Sequence, residues 1–194
     1  MVEWQGRRVY AVKKFISEKR FLPHVFGLSA LLLTLCLVKW TQISRLALLL
    51  RVLLVVFGYL AALCDAREKR VPNKLIIAMM GGWVLIMVPQ MFFVTEEALG
   101  TMADGLAGFL TGGLIFWLVY AISRGGLGGG DVKLAATSGL YLGLDGVLSM
   151  MLYGSVLAAS TGVVLILLKK IKPKDQIPLV PFLYVGILLT VFVR

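Results

Sequence analysis

Charge is scarce in this 194-residue chain: Asp, Glu, Lys and Arg together make up only 15%, against about 25% in soluble domains. Acidic residues are scarcer still, ten against twenty basic ones. Only two cysteines occur, Cys36 and Cys64, both inside apolar runs. They provide neither a disulfide framework nor a zinc cluster and read as small buried hydrophobes. The single histidine, His24, opens an apolar run and reads as an interfacial residue rather than a ligand. With so few polar groups there is no Ser/His/Asp set, no phosphate-binding loop and no nucleotide fingerprint. No metal and no cofactor is therefore expected.

What the chain has in excess is apolar sequence, 59% of residues, with a mean hydropathy of +0.91. Soluble domains hold about 45–50% apolar residues, so this composition predicts an integral membrane protein, an all-α polytopic bundle. A span needs roughly 20 apolar residues, and spans are expected at about 24–40, 46–64, 75–94, 104–122, 132–144, 147–168 and 177–193. The fifth is short, and Asp145-Gly146 after it reads either as a tight turn or as a break in a longer hairpin, so six or seven spans are expected. Residues 1–23 interleave Arg7, Arg8, Lys13, Lys14, Lys19 and Arg20 with Trp4, Tyr10, Phe15 and Ile16. This pattern predicts a basic amphipathic segment on the membrane surface, or else a basic tail, ahead of a membrane domain at 24–194. No cleavable signal peptide is expected, because the first apolar run follows more than twenty largely polar residues.

Lysine and arginine set the orientation. With the N-terminus inside, segments 1–23, 65–74, 123–133 and 169–176 hold 16 of the 20 basic residues. Outside loops carry Glu96, Glu97, Asp104 and Asp145 instead. The expected location is the cytoplasmic (inner) membrane with a cytoplasmic N-terminus. The net charge of +10 then reflects inside loops, including the cluster Lys169, Lys170, Lys172 and Lys174, facing anionic headgroups rather than nucleic acid. Arg51 falls within the second span less than two turns from its outer end, where snorkelling to the surface competes with an intramembrane role.

Two lone acids remain. Asp131 follows Gly125-Gly126-Leu127-Gly128-Gly129-Gly130, five glycines in six residues, and opens an apolar run. It suits an N-cap, the bland alternative to a functional role. Asp65 ends the second span, where a carboxylate opposes the negative end of the helix dipole. It needs compensation from Arg67, Lys69 or Arg70, or a proton shared with another acid. Two crossings separate Asp65 from Asp131, and an even number returns the chain to the same face. Both carboxylates are thus expected at the cytoplasmic boundary. Two carboxylates brought close cannot both ionise easily. One can deprotonate water while the other donates a proton, the logic of aspartic proteases.

Three motifs carry a family resemblance. Gly128-Gly129-Gly130-Asp131 is a GxGD motif, continued by Val132-Lys133-Leu134-Ala135-Ala136. Asp65-Ala66-Arg67-Glu68-Lys69-Arg70-Val71-Pro72-Asn73 places a proline seven residues after the acid, and Ile177-Pro178-Leu179-Val180-Pro181-Phe182 is an IPxxPF pattern. In that order they resemble the type IV prepilin peptidases. The resemblance implies a membrane aspartic endopeptidase that removes the basic leader from type IV pilin-like precursors (prepilin, pseudopilin or preflagellin) at the cytoplasmic face, typically after a glycine. Its protein substrate would carry an apolar N-terminal helix embedded in the bilayer. Asp65 and Asp131 would be the catalytic pair, and Gly128 and Gly130 the two fixed glycines of the motif. Lys133 matches a family position without a catalytic role, orienting the loop or meeting headgroups. Larger members carry a two-CxxC domain associated with N-methylation. No CxxC occurs here, so the chain resembles the compact, peptidase-only members, and methylation is not expected. Some members have a second Asp two residues after the first, where this chain has Arg67. The rival reading is a small proton- or cation-coupled transporter using the same acids. Gly108-xxx-Gly112 and Gly139-xxx-Gly143 read as close-packing helix faces, and the methionines as core or lipid-facing filler.

Overall fold

A computed structural model of the chain describes residues 21–39, 44–93, 95–123, 126–170 and 177–193. Among these residues there are six helices and no strand: α1 Phe21–Lys39, α2 Arg45–Glu68, α3 Asn73–Phe93, α4 Thr95–Ile122, α5 Gly129–Leu167 and α6 Val180–Val193. The chain divides into two compact units, residues 1–43, which contain α1, and residues 44–194, which contain the other five helices. The expected basic segment at 1–23 lies, apart from its last three residues, outside the described residues.

Local chemistry explains where the helices begin and end. The Ser44 hydroxyl accepts the Ala47 N–H at 3.2 Å and so caps α2, satisfying one donor that a first turn leaves over. Glu96 and Glu97 occupy the first turn of α4, where negative charge suits the helix dipole. Pro181 lies in the first turn of α6, a place where a missing N–H costs nothing. Four helices are long and apolar enough to cross a membrane: α2, α3, α4 (from Glu96) and α5. Large apolar side chains face outward along them, among them Leu85, Phe92, Phe93, Ile122 and Leu167, each at least 75% exposed. A soluble protein does not leave so much apolar surface bare. The chain is an all-α polytopic membrane protein.

Six helices accommodate the seven apolar stretches because α5 contains two of them. Gly143 inside it has φ +70° and ψ −175°, a conformation open essentially to glycine alone. A Cβ on Gly112 of α4 would lie 2.9 Å from the Ala135 carbonyl oxygen and 2.8 Å from Val147 Cγ2. On one continuous helix Ala135 and Val147 would stand ~18 Å apart at 1.5 Å per residue. The chain therefore doubles back at Gly143, giving antiparallel arms 129–142 and 144–167. The break expected at Asp145-Gly146 falls at Gly143 instead, because a reversal this tight needs a positive φ, and there Gly143 adopts it. The first arm is ~21 Å long, short of the ~30 Å hydrocarbon core.

Small residues let the backbones meet. α4 lies in the notch between the arms, with Gly108 against Gly139 and Gly143 and Gly112 against Ala135. The two small-residue stripes of the sequence thus pack on each other. α6 packs on the second arm through Gly186 against Met150 and Gly154, and on α2 through Gly58 beneath Tyr184 and Ile187. On α3, Gly82 meets Leu53 and Phe57 of α2, and the Tyr141 hydroxyl of the first arm donates to the Met79 carbonyl. Met79, Met87 and Met150 are fully buried, whereas Met80 is exposed, so the methionines serve both as core and as outward filler.

Candidate active site

Asp65 and Asp131 line one cavity of about 290 Å³, together with Lys69, Gly126–Gly128 and Ile177–Leu179. Both acids, expected on one face of the membrane from the number of crossings between them, come to one hollow in the fold. Both are buried, at 5% and 8% exposure. All three sequence motifs contribute to its wall, since the Asp65 loop supplies Lys69 and the IPxxPF stretch supplies Ile177, Pro178 and Leu179.

Each carboxylate is held at the start of a helix. Asp131 sits in the first turn of α5, and its Oδ2 accepts the Gly128 N–H at 3.1 Å. This is the return half of a capping box; the forward half is missing because Gly128 has no side chain. The bland N-cap reading of Asp131 is thus correct in part, and the same carboxylate also lines the cavity. Asp65 lies in the last turn of α2, yet its Oδ2 accepts the Val180 N–H at the start of α6, also at 3.1 Å. The unfavourable end of its own helix is offset by the favourable end of another. From sequence, the expected compensation is Arg67, Lys69 or Arg70, or a proton shared with another acid. Lys69 does line the cavity, but Val180 stands 115 positions away and carries no polar side chain; it falls at a variable position of the IPxxPF stretch, which marked the segment but not its amide.

The glycine motif has a steric basis. A Cβ on Gly128 would come within 3.1 Å of Asp131 Oδ2, and one on Gly130 within 3.2 Å of Val71 Cβ, whereas one on Gly129 would meet nothing within 4 Å. Gly128 and Gly130 are therefore tight and the middle position is open. Val71 locks the Asp65 loop against the glycine loop, and the Lys133 ammonium donates to Asn73 Oδ1 at 2.9 Å, tying the start of α5 to the start of α3. Lys133 orients the two loops, one of the two roles expected of it.

The other polar residues lie elsewhere. Arg51 and Asp104 line a separate cavity of about 400 Å³ with Tyr141, Gly143 and Thr190. There Asp104 Oδ1 accepts the Leu144 N–H at 3.0 Å and caps the second arm of α5 from α4. Among the described residues, no group of three or more His, Cys, Asp or Glu side chains gathers to hold a metal. The arrangement is a buried carboxylate pair, walled by loop backbone, at one end of a membrane bundle.

This is the architecture of a membrane-embedded protein with a two-acid site, and sequence comparison supplies the family. Residues 52–163 match the type IV leader peptidase family, a span that includes Asp65, Gly128, Gly130 and Asp131. The chain belongs to that family. It is 32% identical over 106 residues to the prepilin leader peptidase/N-methyltransferase of Dickeya chrysanthemi, covering 53% of this chain and 36% of that protein. The protein of the same name from Bacillus subtilis is 31% identical over 85 residues, covering 44% of this chain and 34% of the relative. The one from Aeromonas hydrophila is 28% identical over 145 residues, covering 72% and 46%. The chain thus spans a third to just under half the length of these curated relatives. No solved structure matches it.

Proposed function

We propose that this protein is an aspartic endopeptidase that cleaves the basic leader from type IV pilin-like precursors at the cytoplasmic face of the inner membrane. The observation that carries the reading is the meeting of Asp65 and Asp131 in one 290 Å³ cavity. Family membership and the names of the relatives support the choice of peptide hydrolysis and of a prepilin-like substrate.

In this mechanism the two carboxyls share one proton. The ionised one takes a proton from water as its oxygen attacks the scissile carbonyl carbon. The protonated one gives its proton to the carbonyl oxygen, forming a gem-diol. Collapse breaks the C–N bond: the amine leaves with a proton from the first carboxyl, and one gem-diol hydroxyl returns its proton to the second, restoring the starting pair. Gly128 is extended (φ −81°, ψ 141°), a conformation that suits a substrate strand running beside it. The precursor's apolar helix stays in the bilayer while its leader reaches the cavity.

The test is co-reconstitution in liposomes with a precursor bearing a short basic leader, a glycine at the cut and an apolar helix. Wild type cleaves it; Asp65→Asn and Asp131→Asn insert normally and do not. Cleavage by both Asn variants, or none by wild type, overturns the assignment.

A further inference from the structure

Among the described residues, Lys69 is the only cation in the wall of the carboxylate cavity, and its backbone is unusual. It has φ 50° and ψ 35° and ends α2, its N–H bonded to the Asp65 carbonyl oxygen at 2.8 Å. Glycine fills this left-handed position at helix ends without strain, whereas a side chain makes it costly. Two non-glycine residues among those described take a positive φ, Lys69 and Lys169, and of the two only Lys69 lines this cavity. A lysine also suits the negative end of a helix, which is the bland explanation. It does not account for a lysine, rather than a glycine, in the wall of the carboxylate cavity.

Resting on the function proposed above, we infer that Lys69 is a positioning residue for the shared proton: its ammonium, one turn beyond Asp65, keeps Asp65 the ionised partner and leaves the proton on Asp131. Asp65 is then the base that activates water and Asp131 the acid that protonates the carbonyl oxygen. Among the described residues, Lys69 is the asymmetric charge around the pair. Among those same residues, the glycine loop contributes Gly126, Leu127 and Gly128, and the stretch before α6 contributes Ile177, Pro178 and Leu179. α5 contributes Asp131 itself, while Lys133 is committed to Asn73. On α2 the neighbours are Cys64, half-buried, and Arg67 and Glu68, both exposed; none of the three lines the cavity. Both carboxylates accept a single backbone N–H at the same distance, 3.1 Å, so the amides do not distinguish them.

The experiment measures cleavage of the leader–glycine–helix precursor against pH for wild type, Lys69→Gly, Lys69→Met and Lys69→Arg. A positive charge beside the pair favours proton loss, so its removal raises both apparent pKa values of the pair. Both limbs of the profile move to higher pH in the Gly and Met variants, by about half to one unit. At the wild-type optimum kcat falls several-fold with KM within twofold, and Lys69→Arg restores the wild-type profile. Lys69→Gly keeps the backbone in its preferred geometry, so its thermal midpoint does not fall. Unmoved limbs in both Gly and Met variants, or an Arg variant that behaves like Met, overturn the inference. If those limbs are unmoved while Asp65→Asn and Asp131→Asn are inactive, the role of Lys69 fails and the peptidase stands. If the Asn variants cleave, the peptidase reading itself fails.

Discussion

Replacing Gly108 by alanine tests the packing that holds the site. A Cβ there would lie 2.5 Å from the Gly139 carbonyl oxygen and 2.6 Å from the carbonyl carbon and oxygen of Gly143. All three are backbone atoms, so no rotamer change relieves the clash. Restoring an ordinary contact of 3.4 Å requires α4 and the α5 hairpin to part by about 0.9 Å, the difference between that value and 2.5 Å. Overpacking of this kind costs about 1–3 kcal/mol. For a chain of this size 2 kcal/mol corresponds to roughly 4–8 °C of thermal midpoint. The first arm also carries Asp131 ~12 Å further along, and a displacement of about 1 Å at reacting groups can cost 10²-fold in rate. Gly81→Ala is the control: a Cβ there meets nothing within 4 Å, and alanine is the better helix former by up to about 1 kcal/mol. Thermal unfolding in detergent by tryptophan fluorescence, with precursor cleavage in liposomes, reads both effects. If Gly108→Ala is as stable and active as Gly81→Ala, the account of this interface is wrong.

Other perturbations have separate readouts. Within the glycine loop, Gly129→Ala should keep wild-type cleavage, since its Cβ enters open space. Gly130→Ala pushes on Val71, and about a tenfold or larger rate loss is expected; equal activities in a cleavage assay would refute the steric reading of the motif. Asp104→Ala leaves the Leu144 N–H without its acceptor and should lower stability by about 1 kcal/mol, as loss of a helix cap does. Because Asp104 is remote from the carboxylate cavity, the pH optimum of cleavage should stay where it is. The wild-type pH profile should be bell-shaped, because the mechanism needs one carboxyl ionised and the other protonated. A rate that rises monotonically with pH in the same cleavage assay would contradict the shared proton.

The sequence by itself determined the membrane class, the apolar segments to within a few residues at most ends, and the two acids. Hydropathy is a sum over local composition, and the face on which a residue emerges follows from counting crossings. Asp65 and Asp131 could therefore be assigned to one side before any contact was known. The glycine motif was equally visible as a pattern, although the reason its middle position is open needed Val71 and Asp131 in place. The start of α4 was set at 104 by hydropathy but lies at Thr95, because Glu96 and Glu97 lower the apolar average while favouring a helix N-terminus.

Only the tertiary structure decided how the carboxylates are held. The Val180 amide that meets Asp65 belongs to backbone, which every residue carries, so no side-chain pattern could announce it. The reversal at Gly143 was likewise hidden, because Gly139 and Gly143 share the spacing of a packing stripe and a sequence does not reveal which glycine adopts a positive φ. Local patterns report what a residue is suited to do. Which distant group it faces depends on how the helices close around it.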